Sequence, residues 1–314
     1  MIALTTVKKE RQKIRQLVKQ DKANSQTINS FYQQALSIIA NHLKEFYNEY
    51  ADDSGLTLNQ VSSAVSTWDT QHFYAAINEM LTDVQPDDKL SKQLQAAYVK
   101  ASLSKRDMLG AMIGAGMSIA TARSELYGVT ELNRQRSAAY ADNSSRSQQN
   151  APRSTNQAEY VQRLWVHQDV MANRMIETLN KGLSRGISVT AMNKLTRSIP
   201  QSGDRIDDSL ATPMNQLLSR IDGLMQTQSV ENTNEGKRQA YEDSDVKFVM
   251  WLTEEDYHVC DICQPLDKQI FPFGQAPIPQ EDTHPRCRCQ LAACDEDGNL
   301  LDGQLDGMMT GEFD

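Results

Sequence analysis

Cys260-Asp-Ile-Cys263, followed after twenty residues by His284-Pro-Arg-Cys287-Arg-Cys289, is the stretch that decides how this chain is read. Structural zinc takes four tetrahedral ligands from thiolates and imidazoles. A Cys-x-x-Cys turn presents two sulfurs on one side, and a distant His/Cys group closes the tetrahedron. On a strand, Cys287 and Cys289 would point to one face, because side chains alternate there. The spacing therefore predicts one structural zinc bound by Cys260, Cys263 and His284 with one or both of Cys287 and Cys289. All five cysteines fall between Cys260 and Cys294, which favours metal binding over disulfides in a reducing compartment. Cys294 is expected to be spare.

Other chemistries fit less well. A metal-free cysteine cluster needs no second half to the pattern. A thioredoxin-type redox pair needs a βαβ context that the flanking sequence lacks. The His-x-Glu…Pro-Cys-x-x-Cys signature of zinc deaminases and the HExxH of metalloproteases are both missing. Asp295, Asp297 and Asn299 imitate the start of an EF-hand loop, but Leu300 stands where glycine is needed and Asp306 where glutamate is needed. No nucleophile–base pair is evident, so no enzymatic activity is expected.

Around this module the pattern is helical. Ile28, Tyr32, Leu36 and Ile39 recur at helix spacing, as do Phe73, Ala76, Ile77, Met80 and Leu81. Val161, Leu164, Trp165, Met171, Met175, Ile176, Leu179 and Leu183 form one stripe, and Ser188 can cap a short helix through Leu195. A further helix is predicted from about Ser209 to Tyr241. Its apolar stripe runs from Leu210 to Met225 and continues in phase as Gln228, Asn232, Glu235 and Gln239. A stripe that turns polar without changing phase either leaves the core or faces a buried polar cluster.

Val246 to Thr253 is rich in β-formers and predicts a strand. Gln269–Phe271 and Cys289–Leu291 are shorter candidates. The fold class expected is thus mainly α, with helices joined to a small C-terminal α+β zinc-binding module. The organisation expected is a helical region over 1–141, a linker over 142–159, a domain over 160–294 with its zinc module at 246–294, and an extended acidic tail over 295–314.

Composition narrows the class. The 314 residues are 39% hydrophobic and 23% charged, with a net charge of −9, which suits packed cores rather than a disordered chain. Residues 246–314 hold 4 basic against 14 acidic side chains, while the rest is close to neutral. Phosphates would be repelled by that module. Basic density sits instead at Lys8, Lys9, Arg11, Lys13, Arg15, Lys19 and Lys22, either a solvated helix face or an arm for double-stranded DNA.

The first residues lack the apolar segment of a secretory signal. The longest weakly polar run, Met108–Ala122, spans 15 residues and falls short of a hydrocarbon core about 30 Å thick. Gly110, Gly114 and Gly116 within it suit a tightly packed internal helix. A soluble protein made in a cytoplasm, with no stable membrane insertion, is expected.

The segment Met250-Trp-Leu-Thr-Glu-Glu-Asp-Tyr-His-Val-Cys-Asp-Ile-Cys-Gln-Pro-Leu-Asp-Lys-Gln269, with His284-Pro-Arg-Cys-Arg-Cys289, closely resembles the minor head proteins of tailed phages. These are the head morphogenesis family of the phage Mu F protein. Trp251, Thr253, Asp256, Cys260, Cys263, Leu266, Asp267, His284, Pro285, Cys287, Arg288 and Cys289 fall on that family's pattern. Upstream, Ser184-Arg-Gly-Ile-Ser188 resembles its Gly-x-Ser helix start, and Asn234-Glu-Gly-Lys-Arg-Gln-Ala-Tyr241 its Asn-x-Gly-Arg-x-x-Ala-Tyr segment. Where the family carries Arg-Thr-Glu, this chain has Gln226-Thr227-Gln228, which keeps hydrogen bonding while shedding two desolvated charges.

The resemblance covers residues 160–294. It implies a minor capsid protein in the head interior at the portal vertex, made in the bacterial host cytoplasm. Its implied partners are the portal and the capsid or scaffold proteins, with roles in head assembly, DNA packaging or DNA ejection. The alternative is a zinc-stabilised nucleic-acid-binding protein without a virion role.

Overall fold

The computed structural model describes residues 5–144, 157–197, 209–254 and 259–301. It is mainly helical with a small C-terminal sheet. The helices are α1 (Val7–Tyr50), α2 (Leu58–Val61), α3 (Thr67–Met80), α4 (Asp88–Ala101), α5 (Lys105–Asp142), α6 (Gln157–Arg185), α7 (Val189–Leu195) and α8 (Ala211–Asp243). The strands are β1 (Phe248–Leu252), β2 (Ile270–Pro272) and β3 (Gln290–Cys294).

Local chemistry explains several boundaries. The Ser66 hydroxyl accepts from the Asp69 amide and the Asp69 carboxylate accepts from the Ser66 amide, a capping box that starts α3. The Asp87 carboxylate caps α4 through the Leu90 amide. Gly186 takes φ +76° just past the end of α6, the left-handed geometry that glycine adopts at a helix stop. Two residues on, Ser188 caps α7 by accepting from the Ala191 amide, as the sequence predicts.

Contacts group the chain into two compact units. One takes Met1–Ser25, Gly128–Tyr160 and Gly223–Asp314; the other takes Gln26–Tyr127 and Val161–Asp222. This partition differs from the sequence-order division at 142–159. Packing groups segments by the faces they bury, and long helices such as α1, α5 and α8 give one stretch to each unit. Most of the expected linker, residues 145–156, lies outside the described residues.

In the helical unit, Ile28, Tyr32, Leu36, Ile39, Phe73, Ala76, Ile77 and Met80 are all buried, while Leu81 serves as the C-cap of α3. The α6 stripe is buried at Leu164, Trp165, Met171, Met175, Leu179 and Leu183. Met108 to Ala120 lies in the core along most of its length. A Cβ at Gly116 would come within 2.7 Å of Met80 Sδ and 2.8 Å of Ile39 Cδ1, so close approach is real there. At Gly114 a Cβ would meet nothing within 4 Å. Among the described residues, no helix is long and apolar enough to cross a membrane.

In the other unit the sheet order is β2-β1-β3, antiparallel throughout. β1 is central, pairing Val249 with Phe271 and Ala293. Both faces are covered. Val249, Trp251, Leu291 and Ala293 pack with Tyr241, Cys263, Cys287 and Cys289. Met250, Leu252, Ala292 and Cys294 pack with Ile14 and Leu300 on the other. Double coverage explains why β1 alternates only partly in sequence.

The expected tail needs correcting at its start. Leu300 and Leu301 are buried, Leu300 bridges Cys294, and the Leu301 amide donates to the Ala293 carbonyl at 2.9 Å. Two adjacent leucines bury apolar area that the acidic composition around them hides. Residues 302–314, including Asp306, lie outside the described residues.

Candidate metal centre

The Cys-x-x-Cys turn follows β1 and folds on itself. The Cys260 carbonyl accepts from the amides of Cys263 (3.1 Å) and Gln264 (2.9 Å), and the Cys263 amide lies 3.3 Å from Cys260 Sγ. A 3-10 turn over Gln264–Leu266 then leads to Asp267. Asp267 Oδ1 accepts from both the amide and the hydroxyl of Thr253, each at 2.9 Å. That bracket fixes the end of β1 against the turn carrying the sulfurs.

The second half is a tight loop. Arg286 takes φ +64°, and the Cys287 amide donates to the His284 carbonyl at 3.2 Å. Gln280 donates from Nε2 to the Cys287 carbonyl at 3.0 Å. His284 Nδ1 lies 2.9 Å from the Pro285 carbonyl, an acceptor that places the proton on Nδ1 and leaves the lone pair on Nε2. Nε2 is 3.7 Å from Cys263 Sγ. An imidazole oriented by an acceptor on its other nitrogen is the usual arrangement of a metal ligand.

All five predicted residues come together around Cys263. The donor atoms of Cys260, Cys263 and His284 lie within 4.8 Å of one another, and so do those of Cys263, Cys287 and Cys289. Cys263 and Cys287 sulfurs are 3.5 Å apart. Tetrahedral edges for metal–sulfur bonds of about 2.3 Å measure about 3.8 Å, close to the Cys263–Cys287 separation, and Cys263 is the donor the two triads share. Cys294 sits on the opposite face of the sheet. Cys287 and Cys289 do converge, though from the loop before β3 rather than from a strand.

Protons compete for this cluster. The bond from Cys289 holds the Cys287 thiol down at about 5, while burial pushes Cys263 up to about 12. The bond to Cys287, then burial, pushes Cys289 up. His284 is raised, first by the Pro285 carbonyl and then by the neighbouring sulfurs. Crowded thiols that cannot all ionise alone are what a bound cation would relieve.

A cleft of about 250 Å³ opens over the cluster, bordered by Gln226, Glu254, Val259, Arg286 and Arg288. Arg288 pairs with Glu254 at 3.5 Å. The Arg286 guanidinium occupies the space a side chain would need at Gly223. The Arg286 amide donates to Thr227 Oγ1 at 3.3 Å. Gln226 and Thr227 thus border the Cys/His cluster.

The polar stripe of α8 is buried at Gln228 and Asn232 and half-buried at Glu235 and Gln239, and residues beside it are buried as well. Gln228, Asn232, Asn234 and Lys237 are nearly inaccessible. Asn234 donates to the Cys289 carbonyl (3.2 Å), Lys237 to Gln290 Oε1 (2.7 Å) and Tyr241 to the Leu291 carbonyl (3.3 Å). Steps of three and four residues put these three on one helical face, where they hold the strand that follows the ligands. Glu235 pairs with Arg136, and a Cβ at Gly236 would collide with the Arg136 carbonyl. The targets of Asn234, Lys237 and Tyr241, namely the Cys289 carbonyl, the Gln290 side chain and the Leu291 carbonyl, were not visible in sequence.

The basic N-terminal stretch is the first turns of α1 and not a separate arm. Lys8, Lys9, Arg15, Lys19 and Lys22 are exposed, but Arg11 is buried. Asp295 spends its carboxylate on the amides of Asp297 (3.1 Å) and Asn299 (2.8 Å), closing a turn where the EF-hand likeness begins. Comparison with known proteins finds no matching family model, no matching curated protein and no matching solved structure.

Proposed function

We propose that this chain is a minor capsid protein of the phage head morphogenesis type, stationed at the portal vertex, and that its Cys/His cluster holds a structural zinc. One observation carries the reading. Most of the residues on which the chain resembles that family build and brace the metal module. Cys260, Cys263, His284, Cys287 and Cys289 converge, Thr253 and Asp267 bracket the first turn, and Asn234 and Tyr241 hold β3.

Zinc suits the donor set. Thiolates with an imidazole favour it over harder cations, and a site saturated by protein ligands is structural, not catalytic. The acidic module is poorly suited to phosphates. Any contact with packaged DNA falls to the exposed lysines and Arg15 of α1.

Sedimentation of purified virions tests the assignment. The protein is expected to co-purify with DNA-filled heads and to be retained by isolated portal complexes. Recovery only as free protein, bound to DNA but absent from heads, favours the nucleic-acid-binding alternative and overturns the proposal.

A further inference from the structure

A second convergence of ligating side chains lies in the helical unit, unrelated to the cysteines. His42 and Glu45 are one turn apart on α1, and His72 faces them from α3. The two imidazoles are 8% and 9% exposed. His42 Nδ1 is 3.1 Å from His72 Nε2. Glu45 Oε2 stands 3.6 Å from His42 Nδ1 and 3.6 Å from His72 Nδ1. The donor atoms of all three lie within 4.8 Å of one another.

At 3.6 Å the Glu45 contacts are too long for hydrogen bonds. They are close to the edge of a coordination tetrahedron with bonds of about 2.0–2.1 Å, about 3.3 Å. Each ring also has an oxygen acceptor beyond the cluster. His42 Nε2 is 3.2 Å from Glu79 Oε2; His72 Nε2 is 3.0 Å from the His42 carbonyl, so the ligating nitrogens are His42 Nδ1 and His72 Nδ1, each 3.6 Å from Glu45 Oε2. A carboxylate or carbonyl on the far nitrogen fixes the tautomer and strengthens a metal-ligating imidazole. Trp68 stacks flat on His72, with centroids 4.6 Å apart and planes at 11°, which holds the ring in place.

We propose that His42, Glu45 and His72 form a second metal site, which takes a divalent transition ion such as Zn²⁺, Ni²⁺ or Co²⁺ and leaves a coordination position open. Two imidazoles and one carboxylate are borderline ligands that suit these ions over Mg²⁺ or Ca²⁺. Glu45 has a side chain 60% exposed, so the ion reaches the site from solvent. Three protein ligands instead of four make it weaker and more exchangeable than the cysteine cluster.

The test titrates Ni²⁺ into the full-length protein with zinc already in the cysteine cluster. Nickel uptake, zinc release and tryptophan emission are followed together. One equivalent of nickel is expected to bind without zinc release and to quench part of the emission through Trp68. Glu45→Gln, an exposed change that leaves the fold intact by circular dichroism, should weaken binding at least tenfold. His72→Gln should abolish it, and Glu79→Gln should weaken it by about tenfold, as loss of an outer partner does. No uptake, uptake matched by zinc release, or equal affinity in wild type and Glu45→Gln would overturn the proposal.

Discussion

Arg11, in the second turn of α1, donates from Nη2 to Asp267 Oδ2 at 2.6 Å and from Nε to the Thr253 carbonyl at 3.1 Å. The first helix is thereby fastened to the bracket that shapes the Cys-x-x-Cys turn, more than 240 residues away in sequence. Burial raises the Asp267 carboxyl, but the Thr253 amide and hydroxyl and the Arg11 guanidinium together hold it below the usual carboxylate range.

Arg11→Ala removes one partner of a largely buried pair and is expected to destabilise this unit by about 3–5 kcal/mol, read by urea denaturation. Because the folded-state pKa of Asp267 is depressed, its contribution is complete above the unfolded pKa, about 3.9. It is lost as pH falls through the lower folded value. Asp267→Asn should therefore flatten the acid limb of the stability curve. An unchanged acid limb would detach this pair from the stability of the module.

Asp21 has the opposite sign. Burial raises its pKa from 3.8 to about 7, opposed by the Ser229 hydroxyl and Arg288. The folded state then binds more protons than the unfolded state between those values. Stability should fall as pH rises from about 4 to about 7, and level off above. The full effect amounts to about 4 kcal/mol. Asp21→Asn should be more stable than wild type at pH 8 and equal to it near pH 4. Thermal melts at the two pH values measure the difference.

If DNA meets the basic stretch of α1, the contact is electrostatic. Changing Lys8, Lys9, Arg15, Lys19 and Lys22 to Glu should weaken DNA binding and reduce its salt slope by about one unit per lost phosphate contact. Fluorescence anisotropy at several salt concentrations reads this. Deleting the stretch is a poorer test, since Ile14 and Arg11 are packed into the fold. An unchanged slope would remove α1 from DNA contact.

Gln228 is 2% exposed, and its Nε2 donates to Glu231 Oε2 at 2.5 Å. Gln228→Glu sets two carboxylates against each other in a buried place and should cost about 3 kcal/mol. Adding Gln226→Arg should not rescue it, because residues two apart on a helix do not face each other. Full recovery of the melting temperature in the double variant would contradict this placement.

Much of the Cys/His cluster could be read from the chain because its residues come in two short local patterns. A turn and a loop each present their sulfurs with little help from the rest of the fold. The helices were legible for the same reason, since a 3.6-residue period is a local signal. The first two strands were placed to within about two residues at each end, while the third runs three residues past its expected end.

Long-range pairings were not legible. Nothing near Arg11 in sequence signals Asp267, and His42 and His72 are 30 residues apart in sequence and approach only through helix packing. The grouping into units was hidden because α1, α5 and α8 are continuous in sequence while their packing changes along their length. Leu300 and Leu301 were obscured by the acidic residues around them.

On the proposed reading, Cys260, Cys263, His284 and the Cys287/Cys289 pair hold one structural zinc on which the C-terminal module depends. Elemental analysis of the full-length protein after exhaustive EDTA dialysis, paired with limited proteolysis, tests it directly. Wild type and Cys294→Ser should each retain one zinc and a protected C-terminal module. Cys260→Ser should lose the zinc and expose that module to protease while α3 and α4 stay intact. A metal-free wild-type chain whose C-terminal module still resists protease would contradict the account.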